Sequence, residues 1–370
     1  MKQKLTLVGL LTVMLIQASP ALALMFHEPT DGKNIVGRLQ YVDVEPGDDF
    51  VKIGQRFDVG YFELVESNRE VNPDELIAWD QLLVPTQFIL PPGTRSGILV
   101  NLAELRLYYF QPGTGRIYTF PVGVGREGWG TPVCLTSITV KTENPTWHVP
   151  ESIRAERAKD GVVLPKSVPP GPENPLGNHS LRLAVAGGTY LIHGTNDPSG
   201  VGRRSSSGCI RMFSEDIEEL FSLVPKGTLV QIINEPYKTG WDGEHLYLEA
   251  HVPIKDGGGN KTADLNSLRA LVAAAAREHH VGVNWPKVMR VAKLENGIPT
   301  IINTDTGEDI HKLPADHPEV VKHKAASDEA SEDGKVAAVS DESVNLDQLL
   351  SAKETKRKIV LMDPEKRKIV

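Results

Sequence analysis

A histidine and a cysteine lie close together in a Gly- and Ser-rich stretch, and both residue types can do chemistry. His193 and Cys209 are sixteen positions apart within residues 192–212, IHGTNDPSGVGRRSSSGCIRM. A thiol becomes a good nucleophile when a neighbour favours the thiolate, and a histidine within hydrogen-bond reach does this. The run TYLI before the histidine is typical of a strand. The small residues SSG before the cysteine allow a turn whose backbone N–H groups could bind an oxyanion.

The N-terminus has the pattern of a secretory signal peptide. Lys2 and Lys4 precede an apolar run over residues 5–16, and the small-residue pattern ALA follows at residues 21–23. The run is shorter than the ~20 apolar residues of an ordinary transmembrane helix; an uncleaved anchor is the alternative. We therefore expect residues 1–23 to be removed and the protein to be exported to the periplasm, with no membrane span after cleavage.

The compartment leaves more than one role open for the cysteines. The only other cysteine is Cys134, and two cysteines in an exported chain can form a disulfide, here Cys134–Cys209. A metal site is disfavoured, because one Cys and one His lack the companion ligands that zinc needs. On the residues alone, the disulfide and the nucleophile both remain open.

Length and composition indicate several globular regions. The chain has 370 residues, 40% of them hydrophobic, and a net charge of −8. This length allows two or three domains, and no clustered basic face suggests nucleic-acid binding. We divide the part after the signal peptide into four regions: residues 41–92, 97–236, 237–305 and 306–370.

The first region combines strand and helix signals. A β-prone run at residues 41–44 is followed by a turn, by two segments with helical spacing of apolar residues, and by a closing strand at residues 88–90. The pieces EPGDDFVKIGQRFDV and VESNREVN, with the loop residue Asn68, resemble a LysM module, a family that binds the glycan chains of cell walls. A small structural domain without a ligand is the alternative.

The sequence predicts a mainly β domain over residues 97–236. Short β-branched and aromatic runs alternate with Gly/Pro turns, and PGTG predicts a hairpin loop. The main helix candidate is SEDIEELFSLV with Ser214 as N-cap. Residues 237–305 predict a small α/β extension with the helix LNSLRALVAAAAREHH and the strand candidates HLYLEAHV and IPTIIN. Residues 306–370 lack aromatic residues and are predicted to be a largely disordered tail.

The segments around His193 and Cys209 resemble the YkuD-type L,D-transpeptidases of peptidoglycan. IHGTNDPSGVG and SSGCIRM carry the resemblance, and GILVNLAELRLYYF, FPVGVGREGWGTP and NPTWHVP extend it over the β domain. It implies a YkuD-like β-sandwich and a cysteine acyltransferase with no metal and no cofactor. The LysM-like module before the domain and the extension after it resemble the periplasmic branch that attaches lipoprotein to the wall.

The resemblance also implies roles for residues around the pair. Cys209 would be the nucleophile and His193 its base and later acid, oriented by the carbonyl of Gly194. The amides around Ser207, Gly208 and Cys209 would form the oxyanion hole. Many family members have histidine at position 207 and asparagine at position 211, where this chain has serine and arginine.

Two side chains are expected to contact the substrate. Arg211 could bind a carboxylate through a bidentate pair or could brace the loop, and Tyr190 is the second substrate-binding candidate. Cys134 is expected to be a small buried side chain. A free Cys209 thiol is what the resemblance requires, which disfavours the disulfide.

The function that the resemblance implies is acyl transfer from peptidoglycan tetrapeptide stems. Cys209 would attack the L-centre carbonyl of the third stem residue, release D-alanine and pass the acyl group to an amine. An envelope lipoprotein is the favoured acceptor. The alternatives are 3→3 cross-linking of stems, hydrolysis as an L,D-carboxypeptidase, and a wall-binding protein without activity.

Overall fold

The computed structural model of the protein describes residues 24–254 and 264–304. The predicted signal peptide at residues 1–23 and the predicted disordered tail at residues 306–370 lie outside the described residues. The strands are β1 (Leu24–His27), β2 (Ile35–Gly37), β3 (Gln40–Asp43), β4 (Gln81–Val84), β5 (Gln87–Ile89), β6 (Gly97–Asn101), β7 (Arg106–Gln111), β8 (Arg116–Pro121), β9 (Val124–Gly125), β10 (Cys134–Glu143), β11 (Trp147–His148), β12 (Ser167–Val168), β13 (His179–Leu183), β14 (Leu191–His193), β15 (Arg204–Ser206), β16 (Ile210–Arg211), β17 (Leu229–Ile233), β18 (Tyr237–Asp242), β19 (His245–Ala250) and β20 (Thr300–Ile301). The α-helices are α1 (Phe50–Phe57), α2 (Tyr61–Ser67), α3 (Glu151–Lys159), α4 (Ser214–Leu223), α5 (Leu265–Glu278) and α6 (Trp285–Leu294).

Near the N-terminus, β3, α1, α2 and β4 form a small α+β module with its own core. Helix α1 begins because the Asp49 side chain accepts a hydrogen bond from the Lys52 N–H at 2.8 Å, the usual N-cap interaction. Phe50, Ile53 and Leu64 are buried between the helices and β4. The order strand, helix, helix, strand is the one predicted for residues 41–92.

One detail of that module differs from the sequence-based expectation. The strand that closes it against β3 is β4, whereas residues 88–90 belong to a separate pair formed by β2 and β5. Pro85 lacks an N–H and therefore ends the β4 ladder before this point. The Asn68 side chain bonds the carbonyls of Leu64 and Leu83, each at 2.8 Å, and accepts from the Leu83 N–H. Its amide thus joins α2 to β4.

The central part is built on one nine-stranded sheet of order β1-β8-β7-β6-β17-β10-β13-β14-β16. Strand β10 belongs to both halves, because its first residues pair with β17 and its last residues pair with β13. The sheet therefore changes direction along β10, and one hydrophobic core receives residues from both halves and from α4. The predicted hairpin at PGTG joins β7 to β8.

Two features of this part were not expected from the sequence. Strand β1 pairs with β8, with Leu24 opposite Thr119, so the chain contributes to the central sheet before it enters the α+β module. Helix α4 occupies the predicted segment, but its N-cap residue is Phe213, and the prediction of Ser214 as N-cap is wrong. The Ser214 hydroxyl instead donates to the Thr195 carbonyl at 3.0 Å.

Residues after 236 form a third packed region. Strands β18, β19 and β20 make an antiparallel sheet, and α5 and α6 pack on it around buried Leu248, Val272 and Val288. The sequence predicted α5, β19 and β20; β18 and α6 were not recognised. In the part of the chain that the structure describes, no helix has the length and apolar character that a membrane crossing needs.

Buried ion pairs connect the three regions. Arg106 of β7 donates to both carboxylate oxygens of Glu63 in α2, at 2.9 and 2.8 Å. Lys238 of β18 lies 2.7 Å from carboxylate oxygens of Glu104 and Glu249. Glu104, Glu249 and His251 are close enough together to hold a cation. Because the Lys238 ammonium already bonds both carboxylates, we interpret this cluster as an ion-pair network.

Candidate active site

His193 and Cys209 are brought together by a parallel strand pair. Strands β14 and β16 are neighbours, with Ile192 opposite Ile210 and His193 opposite Arg211. Both isoleucines are buried in the central core. Because side chains alternate along a strand, His193 and Arg211 lie on the face opposite to that core. Cys209 directly precedes Ile210, so by the same alternation its side chain is expected on the face of His193.

The imidazole of His193 is held in one orientation. Its ring is buried, and Nδ1 lies 2.6 Å from the carbonyl oxygen of Gly194. A carbonyl oxygen can only accept a hydrogen bond, so Nδ1 carries the proton and Nε2 is left with a lone pair in the neutral ring. Burial, together with the positive charge of Arg211, lowers the pKa of His193 to about 3. The ring is therefore an uncharged base at neutral pH.

The thiol of Cys209 is partly covered. Its Sγ lies 3.9 Å from the carbonyl oxygen of Thr189, which can accept the S–H. Burial raises the pKa of the Cys209 thiol, while the Leu191 N–H and the charge of Arg211 oppose this shift. The net direction is upward, so the resting residue is a thiol.

The loop before Cys209 is shaped by Gly208. This glycine has φ +104°, and a Cβ added to it would lie 2.8 Å from Cε1 of Tyr190. Any other residue would therefore be strained and would contact the tyrosine ring. The Gly208 N–H donates to Ser206 Oγ at 3.1 Å, so it already has a partner in this conformation. The Gly208 carbonyl accepts from Thr131 Oγ1 at 2.8 Å.

Arg126 fixes the same loop from outside and was missed by sequence reasoning. Its guanidinium donates to Ser207 Oγ at 2.7 Å and to Glu156 of α3 at 2.5 Å. It also lies 5.1 Å from the ring centroid of Trp129. The quoted segment FPVGVGREGWGTP contains both Arg126 and Trp129, but nothing in its composition indicates a contact with residue 207, 81 positions away.

Arg211 is a partly buried cation two residues after Cys209. Gly123 and Arg211 exchange two backbone hydrogen bonds of 2.8 Å, which fix the position of the arginine backbone. The Nε atom is buried, and within residues 24–254 and 264–304 it has no hydrogen-bond partner. Burial lowers the pKa of Arg211, and Asp197 and Cys209 act in the opposite direction. Such a side chain gains from an additional anionic partner.

The two cysteines are not joined. Cys134 and Cys209 are both free, so the disulfide alternative is wrong for this structure. Cys134 begins β10, is half-buried and packs against the central core. Burial raises the pKa of its thiol. Because the Cys134 thiol is protonated and half-buried in a strand, we interpret it as a residue that packs against the core and not as a nucleophile.

Comparisons with known proteins agree on one family. Residues 95–232 match the family YkuD, described as the L,D-transpeptidase catalytic domain. The probable L,D-transpeptidase YcfS of Escherichia coli K12 is 41% identical over 243 residues, which are 65% of this chain and 76% of that protein. The probable L,D-transpeptidase ErfK/SrfK of the same organism is 39% identical over 248 residues, 65% of this chain and 78% of that protein.

A solved structure completes the comparison. The catalytic domain of the E. faecium L,D-transpeptidase is 21% identical and aligns with 38% of this chain and 100% of its own length at a TM-score of 0.29. The assignment rests on the curated relatives and on the family match, whose residues 95–232 include His193 and Cys209. The chain belongs to the YkuD family of L,D-transpeptidases.

Proposed function

We propose that Cys209 is the acyl-accepting nucleophile and that His193 is its base. The observation that supports this is the pairing of β14 with β16, in which His193 lies opposite Arg211, two residues after Cys209. The Nδ1–Gly194 bond leaves Nε2 of His193 as the proton acceptor. A neutral thiol beside a neutral imidazole favours a concerted step, in which the proton leaves sulfur as the S–C bond forms.

The first half-reaction is acylation by a tetrapeptide stem. Sγ bonds to the L-centre carbonyl carbon of the third stem residue, and its proton passes to Nε2 of His193. The carbonyl oxygen becomes an oxyanion, which the backbone amides of Ser207 and Cys209 bind. The Gly208 N–H is already bonded to Ser206, so this residue contributes the conformation of the turn and is not one of the two donors. His193 then protonates the leaving amine of D-alanine, and a thioester remains.

Arg211 and Tyr190 are proposed to position the stem. The partly buried side chain of Arg211, with its buried and unbonded Nε, suits a carboxylate of the substrate. The Tyr190 ring packs against Gly208, the residue before Cys209. No step of this scheme requires a metal or a cofactor.

The second half-reaction transfers the acyl group to an amine. The amine attacks the thioester carbon, His193 takes the amine proton, and the thiol is regenerated. We propose an envelope lipoprotein as the main acceptor and the periplasm as the compartment. The α+β module of residues 41–92, proposed to be LysM-like, would hold the enzyme at wall glycan and raise its local concentration there.

A defined muropeptide tests the chemistry. The purified protein is incubated with a tetrapeptide muropeptide, with and without an acceptor amine, and the products are identified by mass. Release of D-alanine together with an amide product supports transfer. Release of D-alanine with only tripeptide in both arms would favour the carboxypeptidase alternative. No release and no thioester adduct would favour a wall-binding protein without activity.

Gene deletion followed by digestion of the wall tests the acceptor. If protein attachment is the main activity, protein-linked muropeptides disappear and 3→3 dimers are unchanged. The reverse pattern would assign the enzyme to cross-linking. A chromosomal Cys209→Ala strain is the matched control, because it keeps the protein and any wall binding while removing the nucleophile.

A further inference from the structure

Two buried carboxyl groups face each other where the α+β module meets the central domain. Asp58 ends α1, and Asp216 lies in the first turn of α4; their side chains are hydrogen-bonded to each other. Their exposed fractions are only 2% and 3%. Two carboxyl groups can share a hydrogen bond only if one of them holds a proton. The mechanism proposed above uses neither residue.

The positive charge near this carboxyl pair is too small to balance two ionised carboxylates. Burial raises the pKa of Asp58 to about 6, although Arg106 lowers it. Burial and the negative charge of Asp58 raise the pKa of Asp216 well above its usual range. The Arg106 guanidinium is already bonded to both Glu63 oxygens and to the Asp58 carbonyl. Glu215 and Glu219 of α4 add further negative charge.

The backbone N–H of Leu24 points at this pair. It hydrogen-bonds to the Asp58 carboxylate. Leu24 is fixed there because β1 pairs with β8, where Leu24 lies opposite Thr119. Oδ2 of Asp216 is buried and, among the described residues, has no hydrogen-bond partner. Asp58 of the pair thus accepts the Leu24 N–H, and Asp216 of the pair has an acceptor oxygen that is not used.

We propose that the carboxyl pair of Asp58 and Asp216 is a binding site for the chain's own α-ammonium group, created at Leu24 when residues 1–23 are removed. Cleavage replaces the Ala23–Leu24 amide by a primary ammonium, which has a positive charge and three donors. This rests on the signal cleavage that accompanies the proposed periplasmic location, and it is independent of the acceptor specificity.

The site ties three separate elements to one another. Its carboxyl groups come from the end of α1 and the start of α4, and the ammonium comes from β1 at the edge of the central sheet. Before cleavage, ionising the pair leaves a buried negative charge without a matching cation. After cleavage the ammonium supplies that cation, so the processed chain is the more stable form at neutral pH.

The two forms should respond to pH in different ways. In the uncleaved form, Asp58 has a folded-state pKa of about 6, above its unfolded value. The contribution of protonated Asp58 to the stability of the fold is therefore complete at low pH and is lost as the pH rises through 6. In the cleaved form, the pKa of the α-amino group is raised above its ordinary ~8. Its stabilisation is therefore complete below about pH 8 and is lost as the pH rises through the folded-state value.

The experiment compares residues 24–370 carrying a native Leu24 amino terminus with the same chain preceded by Ala23. Thermal unfolding is measured from pH 5 to 10. We expect the Leu24 form to unfold at a higher temperature at pH 7, by at least ~2–4 °C, and the gap to close near pH 10. Equal transition temperatures at every pH would overturn the proposal.

Variants separate the site from a general effect of chain length. Asp58→Asn keeps a residue that tolerates the φ of +52° at this position. This variant and Asp216→Asn should each reduce the gap between the two forms at pH 7, whereas Asp74→Asn, at an exposed position, should leave it unchanged. A gap of the wild-type size in both Asp58→Asn and Asp216→Asn would contradict the site.

Two direct measurements complete the test. Reductive methylation of the α-amino group with ¹³C-formaldehyde gives an NMR signal whose titration should shift upward relative to the Asp58→Asn variant; coincident titrations would overturn the proposal. The N-terminal sequence of protein recovered from exporting cells should begin at Leu24, and a different start would remove the processing step. Neither readout depends on transpeptidation, so failure of the proposed function is recognised separately.

Discussion

At the scale of single residues, His193 and Cys209, the proposed reacting pair, are held in the uncharged state. Burial acts in opposite directions on the two groups, since it lowers the pKa of His193 to about 3 and raises the pKa of Cys209. The charge of Arg211 opposes an imidazolium and favours a thiolate. The acid–base chemistry therefore resembles that of a hydroxyl nucleophile with a neutral histidine more than that of a preformed ion pair.

This charge state predicts the pH dependence of acylation. Because His193 stays unprotonated down to about pH 3 and Cys209 ionises above the usual thiol range, kcat/KM should be nearly constant from about pH 5 to 8. It should fall at higher pH, where the proton needed by the leaving amine has been lost. The measurement is kcat/KM for D-alanine release across this range. An acid limb near pH 6.5 would show that the imidazole is not buried as described.

The identity of the nucleophile predicts opposite outcomes for the two cysteines. Cys209→Ala should abolish the thioester adduct detected by intact mass, while thermal unfolding stays close to that of the wild type. Cys134→Ser should keep most activity, because this thiol only packs against the core. Loss of activity in a folded Cys134→Ser protein would show that the wrong cysteine has been assigned.

The sequence was informative about these residues to different degrees. His193 and Cys209 stand out because their types and surroundings are unusual, and Gly194 follows from its position next to the histidine. The partner of Gly208 was not predictable, because Ser206 belongs to β15, a three-residue strand with no recognisable pattern in the sequence. Arg126 was missed because a contact across 81 positions leaves no local signal.

At the scale of elements, Arg126 couples the cysteine loop to α3. Helix α3 buries none of its own residues, so its position depends on contacts such as the Arg126–Glu156 ion pair. Arg126 also lowers the pKa of Glu156 through a hydrogen bond and its charge. The same guanidinium bonds Ser207, two residues before Cys209, the proposed nucleophile. We therefore expect the position of α3 to affect the proposed oxyanion site.

Arg126→Ala tests this coupling. We expect kcat for acylation to fall about tenfold, because the loop that presents Cys209 loses a fixed hydrogen bond. Glu156→Gln is the matched variant, since it weakens the contact of Arg126 with α3 and keeps the bond of Arg126 to Ser207. In the Glu156→Gln variant, kcat should change less than KM. Identical effects of the two substitutions would show that the guanidinium acts only through α3. An unchanged kcat in Arg126→Ala would exclude a positioning role.

The elements themselves were predictable where local patterns are strong. Strands β6, β7, β8 and β17 carry continuous β-branched and aromatic runs, and α5 carries a long helical repeat. Strand β1 was not recognised because four residues next to the signal segment carry no periodicity of their own; pairing with β8 makes it a strand. Helix α3 is highly charged and buries no residue, so it has no apolar stripe to detect.

At the scale of the whole molecule, buried charges join regions whose hydrophobic cores are separate. The central core, the core of the α+β module and the core after residue 236 contain different residues. Arg106–Glu63 connects the first two, and Lys238 connects the third to Glu104 and to the carbonyl of Ile89. Such pairs give little net stability compared with apolar packing, but removing one partner is costly.

Lys238→Met should therefore destabilise the molecule strongly. The substitution keeps the length of the side chain and leaves the carboxylates of Glu104 and Glu249 buried without their shared cation, which costs about 3–5 kcal/mol. Urea unfolding monitored by tryptophan fluorescence measures the change. Lys226→Met, at an exposed position, is the control and should change stability by less than about 0.5 kcal/mol.

A second substitution in the same cluster distinguishes charge from packing. If uncompensated charge causes the loss, Glu104→Gln combined with Lys238→Met should recover part of the stability, because one of the two buried carboxylates has been neutralised. Tyr108 bonds Glu104 through its hydroxyl, and an amide oxygen at residue 104 can still accept that bond. A double variant that is no more stable than Lys238→Met would assign the loss of stability to packing around the lysine side chain. Packing, and not charge, would then be the main interaction of Lys238 between the regions.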